Sequence, residues 1–312
     1  MPETTATFEE NRTIQAQNSY GFVVLNPASG EGNPDKVRSQ LRSALGEDSY
    51  ELHETAVNEN LRQVVQTAVR DHDYDWVAAV GGDGTVSQVA DGLVGTDVPL
   101  LIIPAGTGNV LARTLELPEQ LDAAASVVRE PHTIRELDGI QLGEHYFFLQ
   151  VGIGLESVTM EKTSSNQKNR WGLAAYLWTA VKEAFGWQPF HLTLTIDGTP
   201  HQLSVTELVI ANASKIGVGS LEWDEQIYPD DGRIDIAVTS ARSLGDYLQL
   251  IIDLVRGTQR KSRKIQFFAA TESIRLNAAE SLPLHGDGEK LAQKLPLDMR
   301  VIPGALKVIV PA

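Results

Sequence analysis

Val80-Gly81-Gly82-Asp83-Gly84-Thr85 sets three glycines around one carboxylate and ends on a hydroxyl. Glycine lets a bound group approach bare backbone, and the N–H groups that open a helix have no partner inside it, so such a turn suits a phosphate. A carboxylate beside phosphates is repulsive unless it holds Mg²⁺ through water or handles a proton. Asp83 is expected to do one or the other. His285-Gly286-Asp287-Gly288-Glu289 offers a second chemistry, since its two carboxylates flank a glycine at a spacing that can aim both into one pocket. Tyr228-Pro229-Asp230-Asp231-Gly232-Arg233 is a third acidic cluster, and it reads equally well as an ordinary turn before a strand.

The elements that must position these groups follow from periodicity. The apolar run 76–80 leads into the first motif, and Val86, Val89, Ala90 and Leu93 follow at helical spacing, so a buried strand should end in the turn and restart as a helix. Residues 20–25 predict another buried strand, closed by the turn Asn26-Pro27-Ala28-Ser29-Gly30. Asn33 and Pro34 then predict the cap and first residue of a helix carrying Val37, Leu41 and Leu45. Residues 50–55 read as a strand ending at Thr55, with a helix after it on Leu61, Val64, Val65, Ala68 and Val69. Residues 99–103 read as a strand running into Pro104-Ala105-Gly106-Thr107-Gly108-Asn109, with helices from Val110 and over about 119–129. Alternating strands and helices with continuously apolar strands predict a doubly wound parallel sheet, and ligands of such sheets bind beyond the carboxyl ends of the strands. Three polar turns fall at such ends, which points to a nucleotide. No G-x-x-x-x-G-K-[ST] occurs, and Gly106-x-Gly108 lacks the third glycine of a dinucleotide fingerprint.

Beyond about Arg135 the pattern changes to short strands, read at 146–151, 192–196, 203–210, 233–238, 265–268 and 306–310. Asp197-Gly198 is a hairpin signal. This half predicts an antiparallel β-sandwich, interrupted by a helix at 171–185 whose aromatic stripe faces either the core or lipid. The expected division is a disordered leader at 1–18, an α/β nucleotide domain at 19–134 that takes back the terminal strand near 304–312, and a sandwich at 135–303.

The chain has 312 residues, no cysteine and a net charge of −15. The absence of cysteine excludes disulfides, thiol nucleophiles and thiolate metal sites. The charge opposes general binding to nucleic acid, where neutralisation of phosphates dominates affinity. Two basic patches depart from it: residues 259–264, and a looser set of Lys162, Lys168 and Arg170. No apolar run is long enough to span a bilayer, the best stretch, 247–255, being broken by Asp253. A cytoplasmic location is expected.

Taken in order, Asn26-Pro27-Ala28-Ser29-Gly30, Gly81-Gly82-Asp83-Gly84-Thr85, Pro104-Ala105-Gly106-Thr107-Gly108-Asn109, Asp231-Gly232 and Asp287-Gly288-Glu289 resemble the diacylglycerol kinase catalytic family, which includes bacterial soluble lipid kinases and sphingosine kinases. The resemblance extends from residue 20 to 312. It implies ATP in a cleft between two domains, Mg²⁺ as cofactor, and phosphoryl transfer to a lipid hydroxyl, diacylglycerol by default. It places Asn26 to Gly30, Thr55, Gly81 to Thr85, Gly106, Thr107 and Asn109 on the nucleotide. It makes Asp83, Asp287 and Glu289 catalytic and gives Asp231 a Mg²⁺ site completed by backbone at Tyr228 and Arg233. Either member of the acidic pair could take the proton. We read the shorter Asp287 as the acceptor and Glu289 as the group that orients it. Two departures stand out: Val110 where many relatives have Asp, and an irregular glycine-rich stretch at 217–223. The partners implied are a lipid substrate, a membrane surface visited transiently and a second copy of the chain. The alternatives are a non-catalytic nucleotide- or lipid-binding regulator and an NAD kinase-like enzyme.

Overall fold

Four strand–turn–helix units open the structure. The computed structural model describes residues 19–30, 33–154, 189–215, 222–279 and 282–312, so the leader, the helix expected at 171–185, the patch of Lys162, Lys168 and Arg170, and most of the stretch 217–223 lie outside the described residues. Strands β1 (Gly21–Leu25), β2 (Tyr50–Glu54), β3 (Trp76–Gly81) and β4 (Leu100–Pro104) pair in parallel in the order β2-β1-β3-β4. Helices α1 (Pro34–Leu45), α2 (Leu61–Asp71), α3 (Asp83–Leu93), α4 (Val110–Thr114) and α5 (Leu121–Ser126) cover both faces. Strand alternation sorts the core. Val24, Val77, Ala79 and Ile102 face α2, α3 and α4, while Val23, Ala78, Val80 and Leu101 face α1 and α5. As expected, Asn33 caps α1 by accepting from the Asp35 N–H, with Pro34 behind it.

The second half is two packed antiparallel layers. Strands β5 (His132–Leu142), β6 (His145–Phe147), β8 (Phe190–Ile196), β9 (Thr199–Val205), β13 (Ser273–Ala278) and β16 (Leu297–Pro311) extend the first sheet. Strands β7 (Gln150–Gly154), β10 (Glu207–Ala211), β11 (Ile234–Thr239), β12 (Ile265–Ala270), β14 (Leu284–Gly286) and β15 (Glu289–Lys290) form a second sheet, ordered β12-β11-β10-β7-β14-β15. Ile140, Leu194, Leu276 and Met299 of one layer meet Val151, Ile153, Ile210 and Ile236 of the other. A sixth helix, α6 (Leu244–Val255), lies over β11 and β12 and starts with a capping box between Ser243 and Asp246. The long strand β16 joins the halves: Leu297 to Arg300 pairs with β13, and Val308 pairs in parallel with Leu100 of β4.

Two single strands of the sequence reading are pairs of strands. Residues 203–210 divide at Thr206, which is fully buried and donates its N–H and hydroxyl to the Thr239 carbonyl while the chain crosses from one sheet to the other. An apolar alternation cannot report a change of layer. Residues 146–151 divide at Phe148 and Leu149, whose N–H groups leave the sheet for a carboxylate far away in sequence. The expected hairpin at Asp197-Gly198 is present, with both residues at positive φ between Ile196 and Thr199.

Candidate active site

Because β2, β1, β3 and β4 are neighbours, their carboxyl ends bring the expected turns together. The backbone pairing continues into them: the Asn26 N–H reaches Val80 O, Thr55 N–H reaches Leu25 O, and Ala105 N–H reaches Gly81 O, each at 2.9 Å. Side chains then shape the turns. Asn26 donates from Nδ2 to Thr85 Oγ1 (3.0 Å) and accepts the Ala28 N–H, while Ser29 Oγ accepts the Gly82 N–H. Asn109 closes its own turn with two bonds to the Gly106 backbone. Two glycines are compulsory here. Gly30 sits at φ 77° with its missing Cβ 2.5 Å from the Ala105 carbonyl oxygen, and a Cβ on Gly106 would stand 2.5 Å from Gly82 Cα. Helix α3 starts at this junction with Gly82 as its cap and no side chain capping it. Main chain at a helix start is what an anion needs.

Asp83 is partnered by backbone. Its Oδ1 accepts the Val110 N–H at 2.6 Å, and it also receives the Asn109 N–H, so it caps α4 and ties the third turn to the second. Burial pushes its carboxyl above the ordinary range, and these N–H donors pull against that.

The acidic pair arrives from the other half. Asp287 and Gly288 are both at positive φ, and they form the two-residue turn of the hairpin β14–β15. The two carboxylates border one cavity of about 310 Å³ between α3, β6 and this hairpin, but they occupy opposite environments. Asp287 is 3% exposed. Its Oδ1 accepts the Leu149 and Gln150 N–H groups, both at 2.9 Å, and its Oδ2 accepts the Phe148 N–H at 3.0 Å and the Ser87 hydroxyl at 2.6 Å. Desolvation raises its pKa, opposed first by Ser87 and then by the three N–H groups. Glu289 is exposed; its Oε1 accepts from Gln88 Nε2 at 3.2 Å and lies beside Gly84, 3.4 Å from where a Cβ would be. The two carboxylates are therefore unequally placed for the roles expected of them. With four donors on its two oxygens, Asp287 fixes the hairpin against α3, and the carboxylate that can reach a ligand is Glu289. Ser87 and Gln88 were missed in the sequence. Their only signal is helical spacing from Gly84, on the face of α3 opposite Val86, Val89 and Ala90.

The metal set is not brought to this site. Arg233 Nε lies 3.0 Å from Asp231 Oδ2, Tyr228 is 52% exposed, and the turn is fastened to β5 through Asp138, whose Oδ2 accepts the Gly232 N–H at 2.7 Å. Among the described residues no three His, Asp or Glu side chains converge as a metal cluster. A guanidinium already neutralises the one carboxylate that a cation would need at Asp231, so these residues do not fit Mg²⁺ as expected.

Residues 21–142 match the family model described as diacylglycerol kinase catalytic domain, and residues 150–310 match the one described as YegS C-terminal NAD kinase beta sandwich-like domain. The chain belongs to the diacylglycerol kinase catalytic family. It is 28% identical to a diacylglycerol kinase of Mycobacterium tuberculosis over 93% of this chain and 94% of that one. It is 25% identical to a diacylglycerol kinase of Bacillus subtilis, covering 86% and 88% of the two chains. A crystal structure described as a diacylglycerol kinase from Bacillus anthracis shares the fold, with a TM-score of 0.72 at 19% identity over 94% of this chain and 97% of that one. The family is one of lipid kinases, and the α/β half followed by a β-sandwich is its architecture here.

Proposed function

We propose that this member of the family transfers the γ-phosphoryl group of ATP to the hydroxyl of a lipid, with diacylglycerol as the first acceptor to test. The observation that carries the reading is the place of Glu289: an exposed carboxylate, beside the start of α3, at the edge of a cavity large enough for an acceptor's reacting end. Phosphoryl transfer asks mainly for positioning and charge neutralisation. The turns at Asn26 to Gly30, Gly81 to Thr85 and Gly106 to Asn109, with Thr55 beside them, offer backbone N–H groups and hydroxyls to the phosphates. Thr107 is exposed at the rim of the third turn. Glu289 accepts the proton of the attacking hydroxyl, and Asp287 holds the hairpin so that Glu289 stays within reach. Mg²⁺ bound with the nucleotide would supply charge neutralisation. No step is assigned to Asp231.

The experiment is phosphate transfer from γ-labelled ATP to a panel of dispersed lipids, resolved by thin-layer chromatography. Labelled phosphatidic acid from diacylglycerol is the expected product. ATP binding with no labelled lipid from any acceptor would reject the reading in favour of a nucleotide-binding regulator.

A further inference from the structure

Helix α6 buries Leu250 against Ala237, Ala241 and Ile265 and turns Leu248, Ile252 and Val255 outward, 49%, 41% and 61% exposed. Positions four and three apart lie on one stripe, here about 10 Å long at 1.5 Å per residue. These are three of the six large apolar side chains exposed among the described residues, so the exposure is concentrated on one ridge. The chain has a net charge of −15, yet residues 256–264 hold five cations and no acid. The 3₁₀ turn Gln259–Lys261 follows the helix closely, which sets the cations beside the end of the ridge where Val255 stands out. Arg260 pairs with the buried Asp224 and stacks over Phe267, and Lys264 pairs with Asp246 of α6 at 2.9 Å. Those two tie the segment to the fold, although Arg260 stays exposed, and Arg256, Lys261 and Arg263 are exposed beside them.

An apolar ridge flanked by cations, on an otherwise acidic protein, matches a surface with acyl chains beneath anionic headgroups. A second copy fits less well, because a two-fold contact through the ridge would set cationic segment against cationic segment. We propose that α6 and residues 256–264 form a docking surface for an anionic lipid bilayer, the ridge entering the acyl boundary and Arg256, Lys261 and Arg263 meeting the headgroups. This names the surface by which the proposed lipid kinase would reach its substrate, but vesicle binding measured without nucleotide tests it independently of turnover.

The test is co-sedimentation of the full chain with phosphatidylcholine vesicles, with and without phosphatidylglycerol. Binding is expected only to the anionic vesicles and should fall with salt. The exposed triple variant Leu248→Gln, Ile252→Gln, Val255→Gln should keep its circular dichroism and lose roughly tenfold or more in binding. Lys261→Glu with Arg263→Glu should lose roughly tenfold and flatten the salt dependence. Parental binding by either variant overturns the proposal, as does a triple variant that turns a dimer into a monomer with vesicle binding unchanged. Phosphate transfer to a detergent-dispersed acceptor should be the same in these variants as in the parent. If the parent shows no transfer while binding vesicles as expected, the kinase reading fails and the docking surface stands.

Discussion

The two halves of the molecule use their polar side chains in opposite ways. The parallel half presents main chain: its turns are shaped by Asn26, Ser29, Asp83 and Asn109, and each of these side chains is occupied with a backbone or hydroxyl neighbour inside the turns. The antiparallel half buries carboxylates. Of the six buried Asp side chains among the described residues, only Asp91 belongs to the first 130 residues, while Asp138, Asp224, Asp235, Asp253 and Asp287 come later. Where the turns leave main chain exposed, side chains serve as struts; where strands are packed on both sides, a buried acid can fix a turn by collecting N–H groups that the sheet leaves over. The candidate site is the contact between these strategies, made by Ser87 and Gln88 of α3 against the hairpin that carries Asp287 and Glu289.

The contrast breaks most visibly at Asp287. Replacing it by Ala strands the Phe148, Leu149 and Gln150 N–H groups, each costing about 1–3 kcal/mol when left unpaired in the interior. Asp287→Ala should therefore lose about 3 kcal/mol or more in denaturant unfolding, and a loss below about 1 kcal/mol would contradict the strut role. Asp235 sharpens the same point through pH. Burial raises its carboxyl to about 6, opposed by Arg233, so it contributes stability that is complete below about pH 4 and is lost as pH rises through 6. The difference is about 3 kcal/mol at 1.36 kcal/mol per pKa unit. Thermal unfolding of Asp235→Asn should lack this decline between pH 4 and 7, and an unchanged decline would place its cause elsewhere.

Smaller effects are expected in the parallel half. Asp83→Ala removes the cap from α4 and frees the third turn from the second, for about 1–2 kcal/mol of stability and roughly tenfold in ATP affinity, measured by calorimetry. Asp83→Asn keeps an acceptor oxygen and should retain most of both. Equal and large losses of turnover in the two variants, with affinity intact, would return Asp83 to the chemistry. Smallest of all is the effect of chelation. Because Arg233 takes the charge of Asp231, EDTA should leave the unfolding temperature unchanged, and a fall of several degrees would restore a structural metal there.

What was legible in the sequence follows the same division. Apolar runs, glycine turns and the pair Asn33-Pro34 are local signals, and they located β1 to β4 with their helices and the turns at the strand ends. The antiparallel half depends on distant partners. Nothing local marks the change of layer at Thr206, or the Phe148 and Leu149 N–H groups bonded to a residue about 140 positions away. Strand β5 escaped notice because Arg135, Glu136 and Asp138 interrupt its apolar pattern, yet it carries Asp138, which accepts the N–H groups of Gly232 and Gly304. The motif with Asp287 and Glu289 was visible as a pair of acids. Their unequal burial was not, since Asp287 is enclosed by Ser87 and by the N–H groups of Phe148, Leu149 and Gln150, all outside its own hairpin.

The central claim is that Glu289 meets the acceptor while Asp287 supports it, and Glu289→Gln tests this most directly. Its carboxylate is exposed and, among the described residues, bonded only to the Gln88 amide, so the substitution should change unfolding free energy by less than about 0.5 kcal/mol. Single-turnover phosphate transfer at saturating ATP should fall by roughly 10²-fold or more with nucleotide affinity unchanged. Transfer within a few-fold of the parent in a stable Glu289→Gln protein would contradict the account and leave the proton to another group.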